Sequence, residues 1–177
     1  SYAVKSFENK KQHSQNLDTR DPRSYYHYLM AVKAEKTYQL EQAASHYKKV
    51  VQHDPETERF QEKWIRLLLR TGQLDEAVQA SQNALTRFPE NEEIEMILGD
   101  ILAGRGELEE AITHYDRVSQ VSPDNARAPL LKGSLLESQG QFDQALGEYK
   151  KGAMVEPNNP LVQFYLGRAH LRAGQLE

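Results

Sequence analysis

The sequence predicts an all-α protein made of stacked helix–turn–helix units, and three observations carry that prediction. Pro55, Pro89, Pro123 and Pro157 follow one another at a spacing of 34 residues (89−55, 123−89, 157−123). Gly72, Gly106, Gly140 and Gly174 keep the same period, and so do the small residues Ala43, Ala77, Ala111 and Ala145. A fixed period of this length is the signature of a repeat array, in which each unit buries its apolar face against its neighbours. The composition agrees. Hydrophobic residues make up 38% and mean hydropathy is −0.76, polar values that suit a thin array with much surface for its core.

Each period reads as two amphipathic helices. In the second period Trp64, Leu67 and Leu68 fall at i, i+3 and i+4, one helical face. Thr71-Gly72-Gln73 breaks that helix, glycine being suited to a left-handed terminus. Leu74, Ala77, Val78, Ala84 and Leu85 then build a second apolar face, which stops at Phe88-Pro89 because the residue before proline disfavours helix. Asn91, Asn125 and Asn159 are placed to cap the helices that follow, and Pro160 suits a first helical position. Glu92 and Glu93 favour the positive end of the helix dipole. The expected helices are 24–37, 41–53, 57–71, 74–87, 92–104, 108–121, 127–139, 142–155 and 160–173.

These residues resemble a tetratricopeptide repeat array over about 24–177. With each proline counted as position 32, repeats begin at Ser24, Glu58, Glu92, Ala126 and Pro160. Position 8, normally small, is Ala31, Ile65, Gly99, Gly133 and Gly167; position 20 is Ala43, Ala77, Ala111 and Ala145; position 24, often aromatic, is Tyr47, Ser81, Tyr115 and Tyr149. The resemblance implies a right-handed superhelical α-solenoid. Its divisions are 1–23 (a leader or degenerate capping segment), 24–57, 58–91, 92–125, 126–159, and 160–177 as a fifth repeat cut after its first helix. Small residues at positions 8 and 20 allow close approach of the two helices of a repeat, and the aromatic fills the seam to the next repeat. Four positions depart from the pattern. Ile65 is large, Tyr38 stands where other repeats have the turn glycine, Pro129 lies in a first turn and delays its helix, and Lys132 occupies a usually apolar position with its amine reaching water.

The ends carry their own expectations. The chain starts at Ser1 without an apolar signal segment, as a fragment relieved of any targeting signal would. Gly174-Gln175-Leu176-Glu177 matches the sequence before second helices elsewhere, so a continuation is expected. Leu161, Phe164, Leu166 and Leu171 should then be partly uncovered, and a dimer through this end or through the N-terminal segment is expected. Residues 1–23 are expected to dock a helix on the first repeat or on a neighbouring chain. The run Asp21-Pro22-Arg23-Ser24-Tyr25-Tyr26-His27-Tyr28 is similar to the opening of some bacterial envelope repeat proteins, which implies a bacterial chain of cytoplasm or periplasm.

Charge and motifs narrow the chemistry. Net charge is −4, and residues 92–125 hold nine carboxylates against Arg105 and Arg117, net −7; residues 1–23 are +2. An acidic chain of this kind is a poor phosphate-backbone binder, so nucleic acid is not expected as a partner. No stretch approaches the roughly 20 apolar residues that span a membrane. The absence of cysteine excludes disulfides, thiolate zinc sites and a cysteine nucleophile. His13, His27, His46, His53, His114 and His170 show no metalloprotease spacing. His46 and His114 share position 23, which predicts an outer, solvated face. No nucleophile elbow or phosphate loop occurs. Neither catalytic residues, cofactor nor metal is therefore expected.

The resemblance places ligands along the first helix of each repeat. The residues it selects here are Tyr25, Tyr28, Arg59, Glu62, Arg66, Arg70, Met96, Asp100, Arg127, Ser134 and Arg168. Arg59, Arg66 and Arg70 form a basic stripe beside Tyr25 and Tyr28, residue types common at binding hot spots. The stripe could take a carboxylate-bearing peptide, or the arginines could pair with the acidic third repeat. A clamp for chaperone C-termini needs a lysine–asparagine–arginine set that neither window of repeats supplies. The expected function is a non-catalytic scaffold binding a peptide or helix of a protein partner. The alternatives are the interaction arm of a larger enzyme and a self-associating structural module.

Overall fold

The structure is a computed structural model that describes residues 21–172. Among these residues it holds nine α-helices and no strand, an all-α solenoid of the repeat class. The helices are α1 (Pro22–Lys36), α2 (Leu40–His53), α3 (Glu58–Arg70), α4 (Leu74–Leu85), α5 (Glu92–Arg105), α6 (Leu108–Val121), α7 (Arg127–Ser138), α8 (Phe142–Val155) and α9 (Pro160–Arg172). Each lies within two residues of its expected span. The expectation of a docked helix in the leader concerns residues 1–20, and that of a repeat cut after its first helix residues 173–177, both outside the described residues.

Local chemistry explains the boundaries. α1 begins earlier than expected because Asp21 accepts from the Arg23 amide at 2.9 Å and Pro22 occupies the first helical position. Pro22 and Arg23 thus belong to the first helix, ahead of its expected start at 24. Asn91 accepts from the Ile94 amide at 2.7 Å, Asn125 from Ala128 at 2.9 Å and Asn159 from Leu161 at 2.9 Å. α7 starts one residue later in its repeat than α5, as Pro129 in its first turn suggested. Gly72, Gly106 and Gly140 turn with φ of 73°, 80° and 77°. Tyr38 makes the same turn at φ 58°, a conformation that costs a side-chain-bearing residue roughly 1–2 kcal/mol.

The chain divides into two compact units, residues 1–77 and 78–177, and the division falls inside the second 34-residue period. In the first unit Ala31, Ala34, Ala43, Tyr47, Val50 and Leu67 form a core between α1, α2 and α3. In the second, Leu98, Leu102, Ala111, Tyr115 and Val118 form one cluster, and Leu136, Ala145, Tyr149, Val162 and Ala169 another. The small residue at position 8 is a steric requirement where an aromatic faces it. A Cβ on Gly99 would stand 2.7 Å from Tyr115 Cε1, and one on Gly133 would stand 2.6 Å from Tyr149 Cε1. A Cβ on Gly167 would meet nothing within 4 Å. Leu161, Phe164 and Leu171 of α9 are exposed, as expected.

Candidate functional site

The first-helix face of the N-terminal unit holds a pocket of about 440 Å³. α1 contributes Tyr28, Val32 and Glu35, spaced as one helical face, and α2 contributes Tyr47. Thr57, Arg59, Phe60 and Lys63 close it from the start of α3. Its aromatic wall is rigid: Tyr28 packs on Phe60 at 5.4 Å between ring centroids and meets Tyr47 edge-on at 6.3 Å. The Thr57 hydroxyl donates to Asp54 at 2.8 Å and fixes the rim.

The charges on the pocket are unevenly committed. The Tyr47 hydroxyl donates to Glu35 Oε2 at 3.1 Å. Burial first, then the Glu35 carboxylate, push the Tyr47 hydroxyl above its ordinary range, so it stays a donor. Lys63 reaches the other Glu35 oxygen at 3.5 Å, a long contact. Arg59 is exposed, and among the described residues it makes no ion pair. One carboxylate and two cations therefore line the pocket, next to an apolar aromatic surface.

The second unit repeats this chemistry with the charges closed. The Tyr115 hydroxyl donates to Asp100 at 2.8 Å, and Arg127 donates to the other oxygen at 2.5 Å. The Tyr149 hydroxyl donates to buried Glu137 at 2.9 Å, and Arg168 and Arg172 reach the same carboxylate at 2.6 and 2.9 Å. Burial first, then Glu137, push the Tyr149 hydroxyl up to about 12. Arg168 also stacks 4.7 Å from the Tyr165 ring centroid. Each aromatic at position 24 thus grips a first-helix carboxylate, and a cation from the following first helix closes the group.

The expected site residues sort accordingly. Tyr28 and Arg59 line the pocket; Tyr25 is exposed but lies off its lining. Glu62 is half-buried and Arg66 exposed, and both are engaged. Arg70 is exposed. Asp100, Arg127 and Arg168 are committed to ion pairs, and Ser134 is half-buried. Met96 is corrected: it is only 3% exposed and packs in the core of the second unit. Helix α5 buries Ile94, Met96, Ile97, Leu98, Ile101 and Leu102, so apolar side chains surround it and no open ligand face remains at Met96. Lys63, Phe60 and Thr57 are pocket residues absent from the expected set. No local sequence signal marks Lys63, which meets Glu35 across 28 residues of chain.

Position 23 is also corrected. His114 is half-buried and its Nδ1 lies 2.5 Å from Glu95, a carboxylate only 2% exposed. His46 Nδ1 lies 3.1 Å from His27 Nδ1. In both repeats position 23 meets position 4, so neither histidine faces open solvent. A second cavity of about 400 Å³ includes Lys48, Trp64 and Glu76 in its wall, but Lys48 is already paired with Glu76 at 2.6 Å. Among the described residues no group of three or more histidines and carboxylates could hold a metal ion, and no helix is long and apolar enough to cross a membrane.

Family models described as tetratricopeptide repeat match residues 68–135 and 130–177. No curated protein matches the chain. Among solved structures, MamA protein is similar at 21% identity with a TM-score of 0.77, over 86% of this chain and 83% of that one. MamA 41-end from Desulfovibrio magneticus RS-1 is similar at 17% identity with a TM-score of 0.77, over 88% of each chain. At these identities the likeness shows the fold.

Proposed function

The chain belongs to the tetratricopeptide repeat family, and from that premise we propose that it is a non-catalytic interaction scaffold holding a partner's peptide segment on its first-helix face. The family is one of protein-interaction modules, and the finer reading rests on one observation. The Arg59 guanidinium, which makes no ion pair among the described residues, lines a preformed pocket with the Tyr28–Phe60 wall. An extended peptide supplies what such a pocket takes: an apolar or aromatic side chain against the rings and a neighbouring carboxylate on Arg59. Arginine matches a carboxylate in fork geometry. Lys63 is held only at 3.5 Å by Glu35, so it is available to turn toward the incoming charge. Glu35 sets the specificity, because it repels a second carboxylate seated too deeply.

Tyr25 on α1, and Glu62, Arg66 and Arg70 along α3, are proposed as further contacts of the same peptide. Asp100, Arg127, Ser134 and Arg168 are proposed as secondary contacts on the second unit, open to a ligand once their ion pairs give way. The repeat divisions at 24, 58, 92, 126 and 160 are part of the same proposal, and so is a bacterial origin, which the Desulfovibrio magneticus neighbour supports. The exposed Leu161, Phe164 and Leu171 support a second reading, a self-associating module, which sedimentation over a concentration series tests.

Photo-crosslinking tests the main reading. Benzoylphenylalanine replaces Tyr28 in one variant and Tyr38, an exposed turn residue, in another. The proposal expects a covalent peptide adduct from position 28 and none from 38. Adducts of equal yield from both, or from 38 alone, would sink it.

A further inference from the structure

Three histidines of the first repeat converge where α1 meets α2. His27 on α1 faces His46 on α2, Nδ1 to Nδ1 at 3.1 Å, with both rings half-buried. His53, two turns further along α2, lies parallel to His27 at 6.2 Å between ring centroids. Lys49 of α2 adds a positive charge to the same corner. Among the described residues, the carboxylate that meets it is that of Asp21, the α1 cap, whose Oδ2 lies 3.5 Å from His53 Nδ1. Asp21 is already committed to Arg23 at 2.7 Å. The Tyr26 ring edge covers His27 at 5.2 Å.

The short nitrogen–nitrogen contact fixes what each ring must do. One imidazole has to donate and the other accept, which requires at least one neutral ring. When both are protonated, both are donors, so the bond is lost and two cations face each other at contact distance. A positive charge on His53 beside them, together with that of Lys49, raises the repulsion further, while Asp21 is shared between His53 and Arg23.

We propose that His27, His46 and His53 form a proton-operated latch that fastens the first turns of α1 to α2 near neutral pH and releases them under mild acid. Tyr28 follows His27 directly and forms the aromatic wall of the pocket, so release also weakens ligand binding there. That consequence rests on the groove reading; the latch itself does not. The sign follows from His27. Partial burial first, then Lys49, His46 and His53, hold its pKa below the ordinary histidine value. Its folded form therefore takes up a proton at lower pH than the unfolded chain. The latch contributes its full stability above about pH 6.5 and loses it as pH falls through the folded value.

Amide exchange and imidazole NMR of the whole chain test the latch without any ligand. Between about pH 7.5 and about pH 5.5, amides 24–30 are expected to lose protection about tenfold more than amides of α6 and α8, after correction for intrinsic exchange. His46→Gln should remove most of that difference. Lys49→Gln alters an exposed side chain, leaves the fold intact, and should move the His27 midpoint to higher pH. Equal protection of amides 24–30 at both pH values would overturn the latch, as would a His27 midpoint unmoved by Lys49→Gln. A fluorescein-labelled octapeptide of alternating Glu and Phe then reads the pocket. Binding that weakens in acid for the native chain but not for His46→Gln supports the coupling, and equal binding at both pH values overturns it. Binding at neither pH counts against the groove reading, and the latch is then decided by exchange alone.

Discussion

Replacing Gly133 by alanine isolates the contact that sets the spacing of the fourth helix pair. The added Cβ would stand 2.6 Å from Tyr149 Cε1, 2.9 Å from Cδ1 and 3.1 Å from Cζ. Ordinary contact begins near 3.4 Å, so the ring or the helix must give by several tenths of an ångström. Tyr149 is fully buried and tied to Glu137 by its hydroxyl, so it has nowhere to turn. Overpacking of this kind costs about 1–3 kcal/mol. Alanine recovers about 0.5–1 kcal/mol of that through its better helix propensity. The net expectation is a loss of about 0.5–2 kcal/mol. Two controls carry the same propensity gain without the clash. Gly147 within α8 and Gly167 on α9, the latter at the same repeat position as Gly133, would each place a Cβ with nothing inside 4 Å. Both alanine variants should be as stable as the native chain or gain up to about 1 kcal/mol. Equilibrium urea unfolding followed by circular dichroism measures all three. A Gly133→Ala variant at least as stable as Gly167→Ala would refute the argument that the glycine is there for Tyr149.

Tyr149→Phe removes the hydroxyl donor to Glu137 and leaves that buried carboxylate to Arg168 and Arg172. The cost should be about 1–2 kcal/mol in urea unfolding. His114→Ala strips the near partner from Glu95 and leaves Arg117 at 3.5 Å, which should cost about 3 kcal/mol. Arg117→Ala, whose side chain is 53% exposed, should cost under about 1 kcal/mol by the same measurement.

What was legible in the sequence was local. Asparagine before Glu92, Arg127 and Pro160, glycine at 72, 106 and 140, and proline at 89 each act on residues within one turn, so their positions alone place the helix ends. The contacts of Gly99 with Tyr115 and of Gly133 with Tyr149 were not legible: the aromatic was expected in the seam to the next repeat, and it packs instead on the small residue of its own repeat. What was not legible joins side chains far apart in the chain. Glu35 is shared by Tyr47, 12 residues on, and Lys63, 28 on, and only the packing of three helices brings them together. The arginines expected to form an open surface in the second unit find carboxylates through the same non-local geometry, Arg127 on Asp100 and Arg168 on Glu137. Met96 holds the repeat position of a groove residue, but α5 is apolar on every side and buries it. His114 sits on the helix face that periodicity marks as outer, yet Glu95, 19 residues earlier, draws it inward.

The pocket beside Tyr28 is the centre of the account, and charge reversal at Arg59 tests it most directly. Peptides selected from a displayed random library on the native chain would be measured by fluorescence anisotropy against Arg59→Glu and against Lys150→Glu, an exposed residue of α8. Acidic–aromatic peptides are expected, with affinity that drops at least about tenfold with Arg59→Glu, since a charge-assisted bond is lost and a repulsion gained, and holds with Lys150→Glu. Selected peptides that bind both variants as tightly as the native chain would contradict it.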